Sequence, residues 1–142
     1  MTAEDIAKYF LAKGMESDGD DLSNLKLQKL LYYAQGFHLA LFDRPLFKAR
    51  IAAWTHGPVV PSVYRQYKGY GSGPIQACCE YPTGFDEETI ELLDEVYAVF
   101  GQFSAWKLRN MTHQEPPWKD AEGAAAEISH DAMRMYFRTR IV

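Results

Sequence analysis

Ser23-Asn-Leu-Lys-Leu-Gln-Lys-Leu-Leu-Tyr-Tyr-Ala-Gln-Gly-Phe-His-Leu-Ala-Leu41 is the stretch on which the fold turns. Leu27, Leu30, Leu31, Ala34, Phe37 and Leu41 recur at steps of three and four, which draws one apolar stripe along a helix, and Ser23 carries the hydroxyl that caps a helix start. Lys26, Lys29, Tyr33 and Gly36 fall off that stripe at similar spacing and make a second, basic and aromatic face. Such a face is solvated, packed against the rest of the domain, or used to bind a partner.

Working outward, Thr2 and Asp5 form a capping-box start for an earlier helix through Ile6, Ala7, Phe10 and Leu11 to Gly14. The acidic connection Met15 to Asp21 lacks the ligand and the glycine that a calcium loop needs at Leu22 and Ser23. After the turn at Asp43 to Pro45, Arg50-Ile-Ala-Ala-Trp54-Thr55 is too short for a helix and reads as a strand closed by His56-Gly57-Pro58. Pro61 suits the first turn of a helix through Val63, Tyr64 and Tyr67 to Gly69. A loop with Gly69, Gly71, Gly73 and Pro74 follows, and Ile75 to Tyr81 is a candidate second strand.

Asp86 caps a helix that buries Leu93, Val96, Tyr97 and Phe100 and presents Glu87, Glu91, Asp94 and Glu95 outward. Ser104 caps a short helix to Met111, Thr112 to Trp118 is an irregular turn, and Ser129 caps a last helix carrying Met133, Tyr136 and Phe137. The expected fold class is α+β and predominantly α-helical: a single compact helical domain over residues 1–142 with a small two- or three-stranded sheet.

Charge narrows the function classes. The net charge of −4 is uneven, because Gly69 to Trp106 holds seven acids and no Lys or Arg. A basic footprint for phosphate backbones is missing, so direct nucleic-acid binding is not expected; the acidic stretch favours a basic protein partner or serves solubility. No apolar run is long enough to span a membrane, and Glu4 and Asp5 stand where a signal peptide would be basic and apolar. Cys78 and Cys79 are adjacent, a poor geometry for a structural disulfide, and read as free thiols in a reducing cytoplasm.

Catalytic and ligand signatures fail one by one. His38, His56, His113 and His130 are dispersed without metal-ligand spacing, so neither a metal nor a cofactor is expected. The glycine loop has neither the Lys-Ser/Thr ending nor the spacing of a phosphate cradle. No nucleophile elbow occurs, and the cysteines lack a neighbouring positive charge to activate them. Arg134, Arg138 and Arg140 either grip phosphate or simply complement a helix C-terminus. An enzyme is disfavoured.

Two stretches carry a resemblance. Leu25-Lys-Leu-Gln-Lys-Leu-Leu-Tyr-Tyr-Ala-Gln-Gly36 and Ala53-Trp-Thr-His-Gly-Pro-Val-Val-Pro-Ser-Val-Tyr64 resemble the signature of the Panacea domain, an antitoxin family of bacteria and their phages. Leu108-Arg-Asn-Met-Thr-His113 with Pro117-Trp118 is similar to that family's third motif. The resemblance implies a type II antitoxin that binds a cognate protein toxin encoded by the adjacent gene, the toxin acting on translation or tRNA. Some relatives carry an added DNA-binding module, whereas here the domain takes up residues 1–142, so no separate DNA-binding domain is expected. A related class delivers its toxin to a Clp protease, and an enzyme using His56 and His113 on a small molecule or nucleotide is the alternative of a different kind.

The candidate toxin-binding or signature residues are therefore Lys29, Tyr33, Trp54, His56, Gly57, Pro58, Tyr64, His113 and Trp118, together with Glu91, Asp94 and Glu95 of the acidic row. Within the signature, His56-Gly57-Pro58 is either a folding turn, with Gly57 supplying backbone freedom and His56 a buried hydrogen bond, or a direct toxin contact. Trp54 and Trp118 are core or contact residues.

Overall fold

A computed structural model describes residues 1–16, 22–76, 80–121 and 126–141. Along the chain run α1 (Ala3–Glu16), α2 (Asn24–Phe42), β1 (Ile51–Trp54), β2 (Gly57–Val59) and α3 (Pro61–Tyr67), the last running into a 3₁₀ turn. They are followed by α4 (Glu87–Phe100), α5 (Ala105–Thr112), α6 (Pro116–Lys119), β3 (Glu127–Ile128) and α7 (His130–Arg138). The expected helix-dominated α+β architecture is what forms.

Four of the helix starts follow from single side chains. Ser23, Asp86, Ser104 and Ser129 each hold extended backbone and accept a hydrogen bond from the amide three residues on. At the other end of α2, Asp43 adopts a left-handed conformation, returns its amide to the Leu39 carbonyl, and turns its carboxylate to Arg134 and Arg138 of α7 at 2.7 and 3.1 Å. These two arginines thus tie α7 to the end of α2.

Helix α2 is the axis of the molecule and packs against α1, α3, α4, α5, α7 and β2. Its stripe of Leu27, Leu30, Leu31 and Ala34 is buried, but so are Lys26, Lys29, Tyr33 and Gly36. The second face is a packing face, not a solvated one. Lys26 Nζ donates to the Gly101 carbonyl at 2.6 Å, and Gly36 leaves the room that the Phe137 ring fills. The stripe itself ends early, since Leu41 is exposed.

The sheet has the order β2-β1-β3, all antiparallel, with Ala52 opposite Val59, Trp54 opposite Gly57, and Ile51 opposite Ile128. Three expectations change here. The residues expected only to close the strand, Gly57 and Pro58, form the second strand, which leaves Thr55 and His56 as the turn; Pro58 is tolerated because β2 is an edge. Ile75, Gln76, Glu80 and Tyr81 are irregular, and 77–79, with Cys78 and Cys79, lie outside the described residues. Thr112 to Trp118 is not wholly irregular, because Pro116 starts the helical turn α6.

A methyl group at position 36 would overlap the wholly buried ring of Phe137. Gly36→Ala is therefore expected to destabilise by about 1–3 kcal/mol, although alanine in a helix interior is otherwise favoured by roughly 1 kcal/mol. Thermal unfolding checks this, and an unchanged or raised midpoint would contradict the packing.

Candidate functional site

The signature residues meet around the β1–β2 hairpin. Trp54, half-buried on β1, sets its ring edge-on to Tyr64 of α3 with centroids 5.1 Å apart. Its carbonyl accepts a 2.7 Å hydrogen bond from Trp118 Nε1, and the His113 ring stacks on Trp118 at 3.8 Å. His56 at the turn is exposed and accepts at Nδ1 from Arg109 Nε of α5 at 3.2 Å. That acceptor role places the hydrogen of the neutral ring on Nε2. The hydrogen bond expected to be buried is thus on the surface, because the two-residue turn pushes His56 out of the sheet.

Arg109 also lies over the Trp106 ring at 4.4 Å, a cation–π contact that holds an indole 55% exposed. Trp54, Thr55, His56, Tyr64, Trp106 and Trp118 line an open groove of about 1010 Å³, walled by the starts of α2 and α5. Among the described residues, no Asp or Glu lines it. His56 belongs to the lining and His113 does not.

The other signature residues lie beneath the hairpin. Lys29 is wholly buried and donates from Nζ to the Pro58 carbonyl at 3.2 Å. Burial, and after it the charge of Arg109, lowers its ammonium to about 7. Gly57 has φ +108°, and a Cβ there would sit 2.6 Å from Lys29 Cε and 2.8 Å from Thr112 Oγ1. Backbone conformation and space both require glycine.

Tyr33 and its neighbour Tyr32 donate at 2.8 and 2.9 Å to the carboxylate of Glu115, which lies buried between α5 and α6. Burial raises the Glu115 carboxyl and both phenols. The sequence reading missed Glu115, Trp106 and Arg109. Trp106 and Arg109 at i, i+3 on a helix were the available signal, since that spacing suits a ring under a guanidinium.

The acidic row does not join this groove. Asp94 accepts from Tyr9 of α1 at 2.6 Å and pairs with Lys13 at 3.0 Å, so it fastens α4 to α1. Glu91 and Glu95 line a second groove of about 650 Å³ between α4 and the C-terminal turn of α2. Asn24 and Leu41, which line the two grooves, are about 25 Å apart along α2. Among the described residues, no three His, Cys, Asp or Glu side chains gather into a metal-binding set, and no helix is long and apolar enough to cross a membrane.

Lys29 gives a pH signature with a definite sign. Its folded pKa lies below its unfolded one, so between about pH 7 and 10.5 the unfolded chain binds more protons and stability rises with pH. From pH 7 to 9 the gain is roughly 2 kcal/mol. Denaturant unfolding at pH 7, 8 and 9 should show this slope in the wild type and a flat response in Lys29→Met; a slope that survives the substitution would assign it to another group.

The matches with known proteins fall on this architecture. The chain matches the family described as Antitoxin SocA-like, Panacea domain, over residues 27–119, a span that contains the buried face of α2, the hairpin, α5 and α6. It is 44% identical over 131 residues to Antitoxin SocA of Caulobacter vibrioides (strain NA1000 / CB15N), an alignment covering 82% of this chain and 68% of that protein. No solved structure matches it. With its signature residues divided between the wiring of the hairpin and one open aromatic groove, the chain belongs to the SocA-like antitoxin family with the Panacea domain.

Proposed function

We propose that this protein is a type II antitoxin that neutralises a cognate toxin by binding it directly, with the aromatic groove at the start of α2 as its contact surface. One observation carries the reading. Trp106 remains 55% exposed beside half-buried Trp54 and Tyr64, held by Arg109 and not by the core. Trp, Tyr and Arg are the residues that dominate binding energy at protein interfaces, and an indole pinned in place loses little freedom when a partner covers it. In this reading Trp54, His56, Tyr64 and Trp106 meet the toxin. Lys29, Tyr33, Gly57, Pro58, His113 and buried Trp118 hold that surface from behind.

The toxin is the product of the adjacent gene and acts on translation or tRNA, and both proteins work in the cytoplasm. We read the protein as a binder and not an enzyme: His113 lies flat against Trp118 and outside the groove lining, so it does not share a substrate cavity with His56. Delivery to a Clp protease is the second reading. An adaptor needs two docking surfaces, and the separate groove beside α4 supports that requirement.

Co-expression with the neighbouring gene tests the proposal. The wild type should restore growth and co-purify with the neighbour's product. Trp106→Ala should weaken the complex at least about tenfold, near 1.4 kcal/mol, with its melting temperature unchanged. His56→Ala should likewise leave the melting temperature unchanged, whereas His113→Ala should lower it by removing the stack on Trp118. A harmless neighbour, or full rescue by Trp106→Ala, would overturn the reading.

A further inference from the structure

The second groove has a floor and a rim of different chemistry. On α4, Leu92, Val96 and Val99 form an apolar row at i, i+4 and i+7, and Glu88, Glu91 and Glu95 run beside it at i, i+3 and i+7. Phe37 and Leu41 of α2 complete the floor, with Leu41 48% and Val99 41% exposed. The two rows run together for about three helical turns.

Charge separates this groove from the first. Among the described residues Glu88 pairs with Arg44 at 3.7 Å, while neither Glu91 nor Glu95 takes part in an ion pair. Glu91 lies one turn from both Glu87 and Glu95, so like charges face each other along the helix and repel. A helix that keeps this repulsion beside an open apolar floor is complementary to a cationic, apolar surface. Among the described residues the one base in the lining, Arg140, is followed by Ile141, so a basic and an apolar residue from the last described turn already lie there.

We infer that the groove between α4 and the end of α2 binds a basic amphipathic helix of a partner protein. The apolar side chains of that helix, at i, i+3, i+4 and i+7, would cover exposed Leu41 and Val99, with the buried side chains of Leu92 and Val96 as the floor beneath them. Its Lys and Arg flank would face Glu91 and Glu95. This is the helix-in-groove mode of recognition, in which the apolar knobs supply affinity and the charges set orientation and partner choice. The inference rests on the groove alone and does not require the aromatic groove to bind a toxin.

Fluorescence anisotropy with synthetic peptides tests it on the full chain. The probes are a labelled Leu/Lys peptide of three to four turns with the amphipathic pattern, a scrambled peptide of the same composition, and a Leu/Glu peptide with the same pattern. The patterned Leu/Lys peptide should bind at least about tenfold tighter than either control and weaken as salt rises. Glu91→Lys with Glu95→Lys should abolish that preference, and Leu41→Ser should reduce it, both with unchanged melting temperature. Equal binding of patterned and scrambled Leu/Lys peptides, or undiminished binding by the double variant, would overturn the inference. So would a concentration-dependent dimer broken by the double variant in sedimentation, which would make the groove a contact between copies. Because Trp106→Ala should leave peptide binding intact, failure here is distinguishable from failure of toxin binding at the aromatic groove.

Discussion

A helix buried on every side must find partners for its own polar side chains, and in α2 each is matched to the backbone or the carboxylate of a different segment. Asn24 reaches the Tyr64 carbonyl, Gln28 accepts from the Val60 amide, and Lys29 donates to the Pro58 carbonyl. Gln35 accepts from Leu46 N and donates to Phe47 O, while Tyr32 and Tyr33 hold Glu115. Leaving any of these groups unmatched would cost about 1–3 kcal/mol, so the loops around α2 are fastened in place by it. Hairpin, α3 entry, 43–47 connection and α5–α6 corner all take their position from this one element.

That constraint explains why a sequence signature for binding looks so much like a signature for folding. Lys29 without a buried carboxylate is an awkward core residue, tolerated because its stem packs under Gly57 and its amine caps a carbonyl. Trp118 belongs to the same class: it is buried, yet its indole nitrogen fixes Trp54 O and its face carries His113. The open surface is a thin layer over this wiring, formed by Thr55, His56 and Trp106 with the outer parts of Trp54 and Tyr64.

Much of the fold was legible because its signals are local. Ser23, Asp86, Ser104 and Ser129 act over three residues, and each cap appears where the sequence places it. The second face of α2 was ambiguous because periodicity records which residues share a face, not what lies opposite. Lys29 meets a carbonyl 29 positions away and Tyr32 a carboxylate 83 positions away. No spacing in the chain encodes such pairs. The same limit applies to the site: Trp54, His56, Tyr64 and Trp118 could be named from their motifs, but the pairing of Arg109 with His56 exists only because α5 crosses the hairpin. Asp94 looked like its acidic neighbours until α1 came to lie beside it.

The division between wiring and surface bears on how such a scaffold can serve different partners. Residues that close buried hydrogen bonds are constrained twice, by volume and by chemistry, so Gln28, Lys29, Gln35 and Glu115 have few tolerated replacements. Trp106, Thr55 and His56 on one groove, and Glu91, Glu95 and Val99 on the other, leave the core intact when they change, because none of them fills it or closes a buried bond. A partner surface can therefore be rewritten at either end of α2 with little loss of stability, provided the new side chains still suit a helix or a two-residue turn. The two ends differ in charge: among the described residues no Asp, Glu, Lys or Arg lines the first groove, whereas the second is rimmed by acids, so a basic partner is favoured at the second over the first.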